Sequence, residues 1–441
     1  MNKQAWIEAA KAKGIEAFEI YQLRENGRSV SWYEGDVENV TSSRTLGTSI
    51  RGIVDGKAAN LAMESVDDSR MDETLDRLLD EIKAIGAEEK ERLRQPEETE
   101  EVRDERTWKS PSMEEIKETM RILEQKALAF DPRVSEVTTV GWEEGAVTRE
   151  IVNSCGMDVR DESGVQYLVL GIAVKDQDEV KDGYEIEVVR DLAALDLDGF
   201  VRRACEKTLD KLGGSPVPSG FYKVILEKDA MTDLFAALSG MFSGEMIYKG
   251  ISPLKDKLGE KIMSDKITIV DDPRDLSAVS IRNYDDEGCP TRRKVLVEEG
   301  VFKTMLHCTK SADTMGAEST GNGFRGGFAG SVSVSPMNFC ILPGERSLEE
   351  MQEAMGDGLV ITDLQGLHAG LDPVTTNFSL QCGGYLVKDG KKERPVTLIT
   401  VAANYLELMK TVTEVGSDLD WSYHHVVCPS IAFEGIAVSG E

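Results

Sequence analysis

Histidine, the side chain that most often binds a catalytic zinc or moves a proton at neutral pH, is scarce in this sequence. The histidines are His307, His368, His424 and His425. A zinc hydrolase usually carries two ligands four positions apart, as in HExxH, because such positions share one face of a helix. No two of these histidines have that spacing. The sequence therefore contains no HExxH metal site.

A weaker candidate for a metal site is the pair His424 and Cys428, which are four positions apart in "HHVVC". The surrounding "WSYHHVVCPSIAFEGIAVSG" has the pattern of a strand. Residues four apart on a strand point the same way but stand about 13 Å from each other, too far for one ion to bridge easily. We therefore favour ordinary packing or surface roles for His424 and Cys428 over metal binding.

The surroundings of the serines and cysteines do not indicate a nucleophile. Serines lie close to glycines in "LSGMFSGEM" and "GFAGSVSV", but neither stretch has the GxSxG pattern of a nucleophile elbow. His307 and Cys308 are adjacent in "LHCTK", and adjacent residues of a strand face opposite sides. A hydrolase built on one of these groups is therefore disfavoured.

Two acidic stretches and one glycine-rich stretch leave alternatives open. "VDDP" (270–273) and "YDDEG" (284–288) bring five carboxylates within 17 residues, which would suit a hard cation. Because EF-hand spacing is absent and Asp-Pro and Glu-Gly pairs are common in turns, we favour turns. "STGNGFRGG" matches neither GxxxxGK[ST] nor GxGxxG. A structural loop, or a backbone surface for an extended peptide, is favoured there over a nucleotide site.

Residues 234–250, "LFAALSGMFSGEMIYKG", have the composition of an approach to an active site. An apolar helical run is followed by small residues and glycines, and then by an acid and a lysine. Glu245 is the only obvious catalytic acid or base in this segment. The segment either supports chemistry located elsewhere or has lost its own.

Composition excludes several classes of function. The chain has 441 residues, enough for two or three domains, and a net charge of −29, which disfavours contact with nucleic-acid phosphates. Its seven cysteines are an odd number without a CxxC pair, which favours reduced thiols. No apolar run approaches the roughly 18 residues of a membrane span, and the N-terminus lacks a signal-peptide pattern. We expect a cytoplasmic protein that contacts neither membranes nor nucleic acid.

Composition shifts divide the chain into blocks. A charge-dense stretch with one proline predicts a solvated linker, and "GGSPVPSG" predicts a second boundary. The predicted units are an N-terminal α/β domain (1–87), a charged linker (88–111), a middle α+β domain (112–215) and a β-rich C-terminal domain (221–441).

Local patterns predict mixed secondary structure in each block. Asp55-Gly56 predicts a tight hairpin turn between two strands. Ser69-x-x-Asp72 and Ser112-x-x-Glu115 predict the beginnings of two helices. Hairpin-like pairs fill the third block, without a regular βαβα alternation. The predicted class is therefore α+β, with a mainly antiparallel C-terminal region.

Taken together and in order, several motifs resemble those of the TldD/PmbA family. These are "LGTSIRGIVDGKAANLA", "FSGEMIYKGISPLKDKLGEKI", "TIVDDP", "YDDEGCPTRR", "STGNGFR", "PVTLITVAANYLELM" and "PSIAFEGIAVSG". The resemblance extends from about residue 15 to the end of the chain. It implies the multidomain α+β fold of that family.

TldD-type members are similar to zinc peptidases with an HExxxH helix just before a segment of the form LEGDFxRKGxS. In this sequence "FSGEMIYKGIS" occupies that segment, which places "FAALSG" at the HExxxH positions. Phe235 then stands at the first ligand, Ala236 at the general base and Gly240 at the second ligand. These side chains neither bind zinc nor polarise water. Cys428 falls near the position of a further cysteine ligand of the family.

The resemblance therefore implies the PmbA/TldE branch, and a chain with no cofactor of its own. In this branch the chain pairs with a TldD-type subunit, which carries the zinc, in a cytosolic peptidase of unfolded or small modified peptides. A dimer with itself is the alternative pairing. Two other functions remain open, a stand-alone peptidase with an unrecognised site and a peptide- or protein-binding modulator associated with gyrase. Whether the chain is itself an enzyme is left open.

Two structural expectations accompany this interpretation. Leu234, Phe235 and Leu238 should be buried on a helix capped by Asp229, with the ring of Phe235 filling the former metal cavity. Dimerisation should close a chamber between two C-terminal sheets. The glycine-rich loop is then a candidate for holding an extended peptide, or else it only packs against its own sheet. Its candidate peptide-binding residues are Ser319, Thr320, Gly321, Asn322 and Arg325.

Overall fold

The computed structural model describes residues 1–86 and 90–441, so the predicted boundary at 87/88 lies outside the described residues. The N-terminal region folds as one antiparallel sheet with the strand order β3-β2-β1-β4-β5-β6. Its strands are β1 (Ala17–Tyr33), β2 (Asp36–Val54), β3 (Lys57–Met63), β4 (Val134–Asn153), β5 (Asp158–Asp176) and β6 (Glu179–Val188). Its helices are α1 (Lys3–Ala12), α2 (Met71–Ala84), α3 (Met113–Phe130) and α4 (Leu197–Leu209).

The pairing of β1 with β4 joins the first two predicted blocks into one sheet, in register from Glu19 opposite Asn153 to Trp32 opposite Val140. Two separate apolar cores nevertheless form along this sheet, and the second also takes in Val30 and Trp32 of the first block. Helices α1 and α2 cover the β1–β3 end of the sheet, whereas α3 and α4 cover the β4–β5 end. The division into domains at 1–87 and 112–215 stays a prediction, and the sheet passes through both.

Local signals in this region were predicted with mixed success. Asp55 and Gly56 form the hairpin turn, both with positive φ (52° and 78°), as a type I′ turn requires. The Ser112 capping box is confirmed, because its hydroxyl accepts from the Glu115 amide and the Glu115 carboxylate accepts in return. The prediction of a capping box at Ser69 is wrong. Asp67 instead caps a 3₁₀ turn that precedes α2.

The C-terminal region contains two sheets and a ribbon. The larger sheet consists of β7 (Gly220–Leu226), β14 (Gly358–Gln365), β15 (Asn377–Lys388), β16 (Lys391–Asn404), β17 (Val412–Val415) and β19 (Ile431–Ser439). The smaller sheet consists of β8 (Ile269–Asp271), β9 (Lys294–Glu298), β10 (Val301–Phe302), β13 (Phe339–Ile341) and β18 (Val426–Val427). Strands β11 (Gly323–Arg325) and β12 (Val332–Val334) form the ribbon. The helices are α5 (Lys228–Leu238), α6 (Gly244–Tyr248), α7 (Thr309–Met315), α8 (Leu348–Met355), α9 (Leu367–Gly370) and α10 (Tyr405–Leu408).

The larger sheet closes on itself. Its order is β16-β15-β14-β7-β19-β17, and β16 also pairs with β19, so five of these described strands form a ring. All its pairings are antiparallel except β7 with β14. Closure hides the strand edges that an open sheet would expose. The predicted α+β class with a largely antiparallel C-terminal region is therefore confirmed.

One apolar core connects the ring to the smaller sheet. It contains Leu226 of β7 and Val401 of β16 from the ring, and Leu296 of β9 and Phe339 of β13 from the smaller sheet. Helix α5 contributes Phe235 to the same core. The apolar face of helix α5 therefore packs into the main hydrophobic cluster of this region. Across the described residues, no helix is both long and apolar enough to cross a membrane.

Candidate functional site

The segment that the resemblance aligns with HExxxH, together with the residues after it, forms helix α5, a 3₁₀ turn over Ser239–Phe242, and the short helix α6. Helix α5 begins directly after strand β7, because the Glu227 amide still bonds the Ile361 carbonyl of the sheet. Glu227 occupies the N-cap position, so the prediction of Asp229 as the cap is wrong. Asp229 lies in the first turn and pairs with Lys207 at 2.5 Å.

Three apolar side chains of α5 face the core, as predicted. Leu234, Phe235 and Leu238 are each at most 1% exposed. The ring of Phe235 stacks on that of Phe339, with centroids 4.8 Å apart and planes 11° from parallel. Phe235, which the resemblance places at the first-ligand position, is therefore a buried ring that packs against a strand of the smaller sheet.

The other two HExxxH positions face solvent. Ala236 and Gly240 are both exposed, and a Cβ built on Gly240 would meet no atom within 4 Å. The three positions therefore do not converge on one point. Zinc is bound by nitrogen, sulfur or oxygen, and these three side chains supply none of them. Within residues 1–86 and 90–441, no group of three or more His, Cys, Asp and Glu side chains is placed to hold a metal ion.

Cys428 lies beside α5, near the degenerate segment. Its amide donates to the Thr232 hydroxyl at 2.9 Å, and its thiol is buried in the main core. Burial raises the pKa of this thiol well above its ordinary value, so the thiol stays protonated. The ring of His424 lies against the ring of Tyr423, with centroids 3.9 Å apart. Burial lowers the pKa of His424, and Asp233 opposes that shift.

The glycine-rich loop directs its polar side chains inward. Asn322 is fully buried, and its amide nitrogen donates to Asp271 Oδ2 and to the Ser335 carbonyl, both at 3.0 Å. The Lys294 ammonium lies 2.6 Å from the same Asp271 oxygen and donates to Asn322 Oδ1 at 2.8 Å. The Thr320 hydroxyl accepts from the His307 amide at 2.7 Å.

Arg325 connects this loop to the N-terminal sheet. Its Nη2 donates to Glu19 Oε1 on β1 at 2.9 Å, and both side chains are 2% exposed. Its guanidinium also stacks over the Tyr21 ring at 4.7 Å, and its amide donates to Asp286 Oδ2 at 2.8 Å. Burial raises the pKa of Glu19, while the charges of Arg325 and Arg51 oppose this effect.

The carboxylates of "YDDEG" form a turn, as favoured from the sequence. Asp285 Oδ1 accepts from the amides of Glu287 and Cys289 at 2.9 Å, and Gly288 has a φ of 74°. Burial and the neighbouring Glu287 raise the pKa of Asp285 to about 8. The next carboxylate, Asp286, accepts from Arg282 at 2.7 Å.

Arg282 is a second buried link between the two regions. Its Nε donates to Asp161 of β5 at 2.5 Å, while its Nη2 donates to Asp286. The Tyr21 hydroxyl of β1 also donates to Asp286, at 3.3 Å. The structure thus brings the acidic and glycine-rich motifs together as a buried polar network at the junction of the two regions. Sequence reasoning did not find this network, although the charged Glu19 inside apolar "AFEIY" was a signal that a buried partner exists.

The candidate peptide-binding residues therefore have internal partners. Ser319, Thr320 and Asn322 are buried, and the side chain of Arg325 is committed to Glu19. These contacts favour the structural alternative for the side chains. The adjoining backbone differs, since Gly326 is exposed and a Cβ built on it would meet no atom within 4 Å. Peptide binding at this loop stays a prediction.

Family models cover most of the chain. Models described as PmbA/TldA metallopeptidase domain 1, central domain and C-terminal domain match residues 18–86, 106–212 and 219–440. The chain belongs to the PmbA/TldD family. This confirms the resemblance seen in the sequence motifs.

Relatives within the PmbA/TldD family are similar along different shares of the chain. Metalloprotease PmbA of Escherichia coli O157:H7 is 27% identical over 319 residues, which are 72% of this chain and 68% of that protein. A metalloprotease of Methanothermobacter thermautotrophicus is 32% identical over 238 residues, 54% of this chain and 50% of that protein.

Solved structures of the PmbA/TldD family are similar over nearly the whole chain. TldE from Thermococcus kodakarensis has a TM-score of 0.91 at 27% identity, covering 99% of this chain and 100% of that one. A Thermotoga maritima protein named as a modulator of a DNA gyrase has a TM-score of 0.90 at 29% identity, covering 99% of each chain.

Proposed function

We propose that this chain is the non-catalytic, TldE-like subunit of a TldD/TldE-type zinc metallopeptidase that degrades unfolded or small modified peptides. The observation that carries the proposal is the packing of Phe235, which fills the first-ligand position with a ring stacked on Phe339. The exposed Ala236 and Gly240 add neither a general base nor a second ligand. The similarity to TldE from Thermococcus kodakarensis supports the same assignment.

In this proposal the zinc and the general base belong to a TldD-type partner, and this chain contributes shape and substrate contacts. Its buried network fixes the position of the glycine-rich loop against the N-terminal sheet, because Arg325 and Arg282 each bond a carboxylate on that sheet. A rigid loop loses little conformational entropy when it binds a peptide. The names of the metalloprotease relatives indicate peptide hydrolysis as the reaction class. In this proposal the TldD-type partner carries out that hydrolysis.

Zinc content and peptidase activity test this proposal directly. We expect the purified chain to hold no stoichiometric zinc and to leave an unfolded protein such as reduced casein intact. Mixed with a TldD-type subunit, it should raise peptidase activity above that of the partner alone, and a chelator should abolish that activity. The control is a partner whose HExxxH glutamate is replaced by glutamine. One tightly held zinc per isolated chain, together with chelator-sensitive activity, would contradict the proposal.

Within this function, strand β12 is the best-placed edge for an extended peptide. Strand β11 is occupied on both sides, because β12 pairs with one edge and the Asp286 amide bonds the Gly323 carbonyl at 2.8 Å. The Ser335 amide donates to the Asn322 carbonyl. This hydrogen bond determines which amides of β12 point toward β11 and which point away from it. The amide of Val332 then points away from β11. Among the described strands, β12 pairs only with β11.

Substitution of Val332 by proline tests this edge without disturbing the ribbon. Proline removes the outward amide, so one main-chain hydrogen bond to the peptide is lost, which is worth about 1 kcal/mol or roughly fivefold in affinity. We expect the mixed complex that contains this variant to have a higher KM for peptide and an unchanged zinc content. Val332→Ala keeps the amide and serves as the matched control. Equal KM values for both variants would leave the ribbon a purely structural element.

A further inference from the structure

The surface formed by residues 246–261, here called the lysine–apolar surface, differs in chemistry from the rest of this acidic chain. It follows the degenerate segment and begins within helix α6. Two of its apolar side chains, Tyr248 and Leu258, are 50% and 53% exposed. Met246 and Ile251 are also exposed. These exposed side chains lie within one short stretch of the chain, and grouped exposed apolar side chains mark interaction sites more often than isolated ones do.

The charge of the lysine–apolar surface is opposite to that of the whole chain. It holds four lysines against two carboxylates, Asp256 and Glu260, in a chain with a net charge of −29. The lysines are Lys249, Lys255, Lys257 and Lys261. Lys249 pairs with Glu245, whereas none of the other three forms an ion pair with any residue that the structure describes. Their positive charge is therefore available to a binding partner.

The backbone beneath this surface is firmly anchored. The Ser252 hydroxyl donates to the Met241 carbonyl at 2.6 Å, and the Leu254 side chain is fully buried in the main core. Further along, the Gly259 amide donates to the Phe302 carbonyl at 2.7 Å. The exposed side chains thus project from a fixed scaffold. Such preorganisation lowers the entropic cost of binding.

We propose that the lysine–apolar surface binds an acidic polypeptide segment that also carries apolar side chains. Carboxylates of the segment would pair with Lys255, Lys257 and Lys261, and its apolar side chains would cover Tyr248 and Leu258. Complementary charge steers the encounter and selects the partner, while the apolar contacts supply most of the affinity. This inference does not depend on the proposed subunit function.

Other occupants fit the surface less well. A two-fold contact between two copies through this surface would oppose the same lysines and repel. Nucleic acid would meet the strongly acidic remainder of the chain, which repels phosphates at longer range. An anionic membrane would require the whole acidic chain to approach a surface of the same sign. An acidic peptide, by contrast, is small enough to contact the lysines alone.

Charge reversal tests the proposal with a defined probe. The probe is a fluorescein-labelled peptide in which glutamates flank leucine and phenylalanine, followed by fluorescence anisotropy on the full chain. We expect the Lys255→Glu, Lys261→Glu double variant to bind it at least about tenfold more weakly. The matched control is the Lys388→Glu, Lys391→Glu double variant, which changes charge equally at two exposed lysines of the β15–β16 hairpin. The control should bind as the wild type does.

A second pair of variants tests the apolar contribution. Leu258→Ser should weaken binding severalfold, whereas Val180→Ser, a matched change at an exposed valine of β6, should not. The same peptide with lysines in place of glutamates should not bind. The proposal is overturned if the wild type does not bind the probe, or if the lysine double variant binds it equally well. It is also overturned if the surface instead binds anionic vesicles or mediates self-association.

Discussion

Replacement of Arg325 by alanine is expected to lower the free energy of unfolding by roughly 3–5 kcal/mol, because it leaves the Glu19 carboxylate buried without its partner. The two side chains are each 2% exposed and bond at 2.9 Å. Urea unfolding followed by circular dichroism measures the change. The matched control is Arg293→Ala. The Arg293 side chain is 52% exposed and lies 3.9 Å from Asp272, so its loss should cost less than about 1 kcal/mol.

The deficit of the Arg325→Ala variant should depend on pH. Burial raises the pKa of Glu19 above its ordinary value of 4.5, and loss of the opposing Arg325 charge raises that pKa further. The folded variant therefore binds more protons than the unfolded chain does, and its stability falls as pH rises from 4.5 to the raised pKa. The difference from wild type should be smallest at the low end of that range. A deficit that is the same at every pH would contradict the assignment to Glu19.

Replacement of Phe235 by alanine is the second change with a large expected effect. The ring is 1% exposed and stacks on Phe339, so its removal leaves a cavity in the main core. Such a change costs roughly 3–5 kcal/mol of unfolding free energy, measured by the same urea transitions. Phe221→Ala is the control, because that ring is 84% exposed and its loss should cost about 0.5 kcal/mol or less.

The outcome of the Phe235 experiment bears on function as well as stability. A metal-binding side chain is retained for catalysis and often lowers the stability of the fold, whereas an aromatic ring in the core raises that stability. If Phe235→Ala unfolds with wild-type free energy, the ring does not fill a former metal cavity. A large loss of stability with intact behaviour in the Phe221→Ala control supports the interpretation of α5 as a structural helix.

The parts of the fold that could be predicted from sequence are those with local causes. Asp55-Gly56 encodes its turn by backbone preference alone, and the Ser112 capping box closes within one helical turn. The apolar helical run that contains Phe235 likewise agrees with the burial of this ring. Asp229 was misplaced as a cap because the sheet hydrogen bond of Glu227 decides where α5 begins, and a tertiary contact of this kind leaves no local mark.

The candidate site was predicted less completely, for a physical reason. The positions that the resemblance aligns with HExxxH lie within one short stretch of sequence, so their side chains could be compared with the motif directly. The polar network joins residues from β1, β5 and the acidic turn. The arginine, aspartate and glutamate residues that form its ion pairs are types that usually lie on a protein surface, so their burial could not be inferred from residue type. The charged Glu19 within an apolar strand indicated that a buried partner of opposite charge is needed. Only the three-dimensional structure identifies Arg325 as that partner.

The separation between Glu19 and Arg325 has a consequence for how the chain is made. The two residues are 306 positions apart, so the nascent strand β1 leaves the ribosome long before its arginine has been translated. Until then, the carboxylate has water and the nearby charge of Arg51 on β2, but it lacks the hydrogen-bond donor that Arg325 provides. Burial of β1 before Arg325 is available would desolvate this carboxylate without its hydrogen-bond donor, which costs free energy. We therefore expect the first strand to be synthesised to be among the last to reach its final buried position. A product that terminates before residue 325 is expected to be more readily cleaved by the proteases of quality control.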